Sequence, residues 1–158
     1  MVNRIPLEEG YMVLSQEGGV RLLGSYSPAA DVTFFPARKR CPITEQPVQT
    51  VELSTEGVLY SWSYVYMPRM GSMETDPGGG YGVGQVDLPE GVRIQTLIDG
   101  GAGDFEIGMR MRLEADVVSV GDDGTEYCGF KFVPAGFPAA CSLVCRSIST
   151  GGLEYRIG

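Results

Sequence analysis

Histidine is absent from this sequence. That absence removes Ser–His and Cys–His nucleophile pairs, imidazole metal ligands and imidazole general bases. Thiols are then the only side chains whose ordinary pKa approaches neutrality, and there are four: Cys41, Cys128, Cys141 and Cys145. Long hydrophobic runs are missing too. No segment approaches the ~20 apolar residues that cross a bilayer, and the opening residues lack the apolar stretch of a signal peptide. A cytoplasmic protein with free, reduced thiols and no membrane contact is expected.

Positive charge is scarce. Twelve Lys and Arg stand against twenty Asp and Glu, a net charge of −8. This disfavours nucleic acid, because phosphate binding draws on Lys and Arg. The acidic residues are scattered rather than run together, so they read as a solvated surface. Helix signals are equally thin. Residues 3–9 read as at most one helical turn, ended by Gly10. Beyond it, 23 Gly and 10 Pro in clusters without a period punctuate the chain as turns.

What is present is strand. Residues 58–67, Val-Leu-Tyr-Ser-Trp-Ser-Tyr-Val-Tyr-Met, are β-branched and aromatic and are closed by Pro68. Their even positions, Val58, Tyr60, Trp62, Tyr64 and Tyr66, would share one face that serves as core and docking surface. From Ile107 to Val117, apolar residues alternate with Arg110, Arg112, Glu114 and Asp116, giving one dry and one wet face. Residues 81–88 and 92–98 form two more strands around the tight turn Pro89-Glu90-Gly91. Residues 130–133 make a short last strand stopped by Pro134. Five strands with short connections suit a small closed barrel such as an OB-fold, and also an SH3-like barrel or half a sandwich.

Few residues are marked for chemistry. Tyr81-Gly-Val-Gly-Gln lacks the Gly-Lys-Ser/Thr of a phosphate loop. Cys141 and Cys145 have three residues between them rather than the two of a redox dithiol, so buried inert thiols are the better reading. Glu106, Glu114 and Asp116 fit a wet strand face, and Asp87 and Asp99 read as turn caps. Arg38-Lys39-Arg40 is the one basic cluster, read as a solvated turn before a phosphate or coenzyme A contact. Residues 69–80 form a long polar loop and Leu153 to Ile157 a final strand.

The order of several short pieces resembles a family of acyl-CoA-associated proteins, formerly a domain of unknown function, that joins a rubredoxin-like zinc ribbon to an OB-fold. The pieces are Leu22-Leu23-Gly24-Ser25, Phe34-Phe35-Pro36-Ala37-Arg38, Cys41-Pro42 and Gly57-Val58-Leu59-Tyr60-Ser61. They continue with the stretch from Tyr81 to Arg93, Ile107-Gly108-Met109 and Phe130-Lys131-Phe132-Val133-Pro134. The resemblance implies a mainly β protein: an N-terminal segment over residues 1–22, a ribbon-like module over 23–54, a five-stranded OB-fold barrel over 55–135 and a tail over 136–158. The family ribbon carries two Cys-x-x-Cys pairs. Here those positions are Ser27, Ala30, Cys41 and Thr44, so only Cys41 is retained. Zinc needs four N or S donors, and the ribbon is therefore expected to be degenerate and without metal.

Family members act beside thiolase-like enzymes. The resemblance implies a non-catalytic companion subunit, hetero-oligomeric with a thiolase-like protein and able to contact acyl-CoA. Apolar anchors flanked by arginine, and arginines on the wet face of a strand, point to Phe34, Phe35, Arg38, Arg40, Arg110 and Arg112 as its interface. The competing readings are a stand-alone barrel that binds acyl-CoA or another small ligand, and an enzyme using its own carboxylates or thiols.

Overall fold

The computed structural model describes residues 3–15, 18–67 and 80–136, and these contain strands and turns but no helix. The loop reading at residues 69–79, the Cys141–Cys145 pair and the strand reading at residues 153–157 lie outside the described residues. The strands are β1 (Arg4–Pro6), β2 (Met12–Leu14), β3 (Val20–Ser27), β4 (Val32–Phe34), β5 (Gln49–Glu52), β6 (Glu56–Val65), β7 (Tyr81–Asp87), β8 (Arg93–Ile98), β9 (Arg110–Val120) and β10 (Glu126–Pro134).

Two sheets result. In the first, β3 is central and pairs antiparallel with β2, β4 and β5. The second runs β1-β10-β8-β7-β6-β9 and closes through β9 on β10. Taken around the circle, β6, β7, β8, β10 and β9 form a closed five-stranded barrel in which β8 and β10 are parallel. This is the strand order of an OB-fold. Closure covers the edges that an open five-stranded sheet would carry, except along β8 and β10, which meet at a single register pair.

The β7–β8 hairpin follows directly from its turn residues. Gly91 has φ +83°, a conformation that costs glycine little. Its N–H donates to Leu88 O at 3.0 Å, and Leu88 N–H donates to Val92 O at 2.9 Å. The Tyr81-Gly-Val-Gly-Gln stretch is strand, not loop. A Cβ at Gly84 would stand 2.9 Å from Ile98 and 3.0 Å from Leu59, so glycine there lets β7 lie close over the barrel core.

Four readings need correction. The alternating strand runs from Arg110 to Val120 rather than from Ile107 to Val117: Ile107 lies exposed in the turn before it, and Asp116, expected on the wet face, is buried. Residues 4–6 form no helical turn. They add to β10 in parallel, Arg4 opposite Glu126, with an ion pair of 2.6 Å. The last strand begins at Glu126 rather than Phe130 and includes Pro134. Ladder pairing with nine residues of β9 stabilises this length where local sequence signals were weak. The even face of residues 58–67 also does not persist. Leu59 pairs with Val86 and Ser61 with Gln85, which leaves Tyr60 as an extra residue in a β-bulge. Before the bulge Leu59 points inward and is fully buried. After it Trp62 and Tyr64 pack against the core, while Tyr60 is half exposed.

One continuous core joins the two sheets. Met12, Val20, Leu22 and Leu53 from the first meet Leu59, Val86, Ile94, Met111 and Phe132 from the barrel. Burying each such side chain contributes about 1.5–3 kcal/mol. The connection between β5 and β6 is held by Glu90 of the β7–β8 turn, whose Oε1 accepts from Ser54 N–H at 2.7 Å and Ser54 Oγ at 2.6 Å.

Candidate functional site

The four positions that the resemblance assigns to ribbon ligands, Ser27, Ala30, Cys41 and Thr44, lie in two facing turns. The first follows β3. Ser27 Oγ accepts the N–H of Ala30 at 3.4 Å, and the turn closes at Asp31 with φ 51°, held by Tyr26 Oη donating to Asp31 Oδ1 at 2.7 Å. The second contains Cys41 and Thr44 and closes at Glu45 with φ 58°. Glu45 N–H donates to Cys41 O, and Cys41 N–H to Gln46 O, both at 2.9 Å.

These turns bring Ser27, Cys41 and Thr44 together. Cys41 is 1% exposed and Ser27 is fully buried. Burial alone would raise the Cys41 pKa. The polar groups around the sulfur, namely the Ser27 and Thr44 hydroxyls and the backbone N–H groups of Thr44 and Ile43, outweigh it and bring the thiol down from 9.0 to about 7. Thr44 Oγ1 is buried without a hydrogen bond of ordinary geometry, so the neighbouring sulfur is the acceptor its hydroxyl can turn toward. One thiol, two hydroxyls and the methyl of Ala30 do not make a zinc site, which takes four thiolate or imidazole donors. Among the described residues no three His, Cys, Asp or Glu side chains converge on one point. The turns surround the Cys41 sulfur with hydroxyl and backbone N–H groups that favour its thiolate form.

Phe34 is the last residue of β4, opposite Ser25, and is half-buried. Phe35 is used within the chain. Its ring stands edge-on to Tyr11 at 6.1 Å and to Phe130 at 6.0 Å. Arg38 and Arg40 are exposed in the loop beyond. Arg110 pairs with Glu56 and is 71% exposed at its side chain, whereas Arg112 pairs with Glu114 at 2.7 Å and is 30% exposed. The six residues are therefore not one patch by contact: the first four follow the ribbon, and the two arginines lie along β9.

A further group was missed by sequence reasoning. On the outer face of the barrel, Arg93 makes a two-pronged contact with Asp87 at 2.6 and 2.9 Å, and its guanidinium lies 3.3 Å from the centre of the Tyr60 ring. The bulge puts Tyr60 there. The Arg93 hydrogen bond holds the Asp87 carboxyl below its usual range. Asp87 is thus an ion-pair partner and not a turn cap. The signal was available, since residues flanking a tight turn sit opposite each other on paired strands. Ser61 donates to Gln85 at 3.2 Å, and Gln85 to Gln95 at 3.4 Å, extending this polar face.

The other carboxylates also have structural partners. Asp99 is no turn cap either, since it pairs with Lys131 at 2.9 Å, and Asp116 stands 3.8 Å from the same ammonium. Asp123 accepts from Thr125 N–H at 3.0 Å and from its hydroxyl at 2.9 Å, which lowers the Asp123 pKa. Cys128 is fully buried, and burial pushes its thiol up. Ser54 Oγ and the Thr125 hydroxyl each donate to a carboxylate, Glu90 and Asp123, but each carboxylate also accepts the backbone N–H of the same residue, which is the geometry of a local cap.

Comparison with known proteins agrees with the barrel's topology. Residues 50–116 match the family described as ChsH2, C-terminal OB-fold domain. The chain is 32% identical over 99 residues to the benzoylsuccinyl-CoA thiolase subunit BbsA of Thauera aromatica, a match covering 62% of this chain and 65% of that protein. The chain thus spans just under two thirds of that relative's length. Among solved structures it is similar to the Ltp2-ChsH2(DUF35) aldolase, with 26% identity, a TM-score of 0.55, and coverage of 73% of this chain and 85% of that one.

Proposed function

We propose that this chain, whose barrel is an OB-fold of the ChsH2 C-terminal type, is a non-catalytic companion subunit of a thiolase-like enzyme that handles acyl-CoA. The observation that carries this reading is its likeness to a protein named as a CoA thiolase subunit, supported by its likeness to a chain of an aldolase. The chain's own chemistry supports it. It has no histidine, and Asp87, Glu90, Asp99, Asp123 and the thiols of Cys41 and Cys128 are engaged in ion pairs, caps or burial. The partner supplies the nucleophile and base, and this chain supplies surface. Outward groups suited to that role are Phe34, Arg38, Arg40 and Arg110, with the Tyr60–Arg93–Asp87 cluster on the barrel. Tyr and Arg are the residue types that dominate interface energetics.

No helix among the described residues is long and apolar enough to cross a membrane, and we place the complex in the cytoplasm, where Cys41 and Cys128 stay reduced. Zinc plays no part, because the ribbon donors do not suit it. Co-expression with a thiolase-like chain followed by pull-down tests the reading: a stable complex supports it, and a chain that elutes alone refutes it.

A further inference from the structure

The barrel is closed around most of its girth but not along one seam. β8 and β10 are parallel neighbours that meet at a single register pair, Phe132 opposite Ile98. Asp99 N–H donates to Phe132 O there, at 2.9 Å. Backbone groups of alternate residues in a strand point to the same edge. The backbone N–H groups of Leu97, Gln95 and Arg93 therefore face the β10 side, like that of Asp99. β7 pairs with the other edge of β8 without a break, from Gly82–Ile98 to Asp87–Arg93. On the β10 side the ladder goes no further among the described residues. The first half of β10 is taken by β1 instead, and Leu7 N–H continues that line to Cys128 O at 2.8 Å. A side-chain bond from Thr96 Oγ1 to Phe130 O, 3.2 Å, spans the gap.

The gap is a cavity of about 510 Å³ whose apolar walls include Val83, Leu97, Phe35, Phe130 and Tyr11. It combines apolar walls with backbone donors and acceptors at two-residue spacing. Such an edge is complementary to another extended backbone, and natural sheets seldom leave one uncovered. The edge from Arg93 to Leu97 is about 17 Å long, enough for a strand of five residues. Its charge narrows the occupant. Glu8 and Asp116 line the cavity and no Lys or Arg does. Lys131 is shared between Asp99 at 2.9 Å and Asp116 at 3.8 Å, so the lining is neutral to acidic. This is a poor setting for the polyphosphate of coenzyme A and a good one for a neutral or basic peptide.

We propose that the open edge of β8, residues 93–97, is a strand-addition site that receives an extended, apolar, neutral or basic segment of the partner enzyme. The proposal rests on the companion-subunit reading and deepens it. The partner segment pairs its backbone with Gln95 and Leu97, and alternate side chains enter the cavity against Phe35 and Phe130.

The test is amide hydrogen exchange on the full chain, alone and in complex with the co-expressed thiolase-like chain. In the chain alone, the amides of Gln95 and Leu97 should exchange far faster than those of Ile94 and Thr96, which face β7. In the complex they should slow by about a hundredfold or more. Gln95→Pro removes one seam donor without touching the β7 ladder. It should weaken the complex by about tenfold or more and leave the barrel folded. Should that variant unfold, the exchange data decide alone. A complex that forms with Gln95 and Leu97 exchange unchanged, or a folded Gln95→Pro chain that binds as wild type, overturns the proposal and leaves the companion reading intact. Protection of the same amides by acetyl-CoA without partner overturns it in favour of a ligand site. Failure of any complex to form removes the companion reading, and this proposal with it.

Discussion

The ring of Phe35 stands edge-on to the ring of Phe130, centres 6.0 Å apart, and so ties the loop after β4 to the last strand of the barrel. Tyr11 closes the other side of Phe35 at 6.1 Å. Truncation would open a cavity at the junction of two sheets. Phe35→Ala is expected to cost about 2–4 kcal/mol of stability in a urea titration, since the ring is buried in part rather than wholly. Phe34→Ala should cost about 1 kcal/mol or less in stability and act mainly on the complex. Equal destabilisation by the two would contradict the assignment of Phe35 to internal packing.

Cys41 should make stability depend on pH. Its folded pKa, about 7, lies below the ordinary 9.0. Folding therefore favours the thiolate. The contribution is absent below about pH 7, grows between pH 7 and 9, and is complete above. The stability advantage of wild type over Cys41→Ser, read from denaturation midpoints at pH 6.5, 8 and 9, should widen across that window. An advantage that shrinks as pH rises would mean that the Ser27 and Thr44 hydroxyls do not hold a thiolate.

The same turns should accept a restored metal site. The purified wild-type chain is expected to carry no zinc. The triple variant Ser27→Cys, Ala30→Cys, Thr44→Cys, grown with zinc, should carry about one zinc per chain and lose it, with stability, on chelation. Stoichiometric zinc in the wild type would overturn the account of the ribbon. So would a triple variant that stays empty.

Gly84 tests the packing of β7 over the core. A methyl group there would meet Ile98 at 2.9 Å and Leu59 at 3.0 Å, so Gly84→Ala should cost about 1–3 kcal/mol. Gly103→Ala, with nothing within 4 Å, should stay within about 0.5 kcal/mol. Thermal melting of the two variants makes the comparison.

The barrel was legible where local patterns and tertiary needs coincide. The alternation from Met111 to Leu113, the turn at Gly91 and the aromatic run of β6 each signal strand by themselves. The first sheet was less so. β2, β4 and β5 have three or four residues each, too few for a period to show, and they exist because β3 offers them ladder partners. β1 read as helix because its parallel partner lies over 120 residues away. The Tyr60 bulge could not be read from alternation, since one inserted residue reverses every face after it. Of the surface, the turns around Ser27 and Cys41 were marked only through the family resemblance, whereas the Arg93–Tyr60 contact depended on that bulge.

The central claim is that this chain acts as the companion of a thiolase-like enzyme. Native mass spectrometry of the co-expressed pair, with acyl-CoA turnover measured on the same samples, tests it most directly. The account predicts a hetero-oligomer of defined stoichiometry, with turnover in the presence of both chains and none from this chain alone. A chain that remains alone at micromolar concentration, or one that turns over acyl-CoA by itself and loses that activity when one of its own carboxylates or thiols is changed, would contradict it.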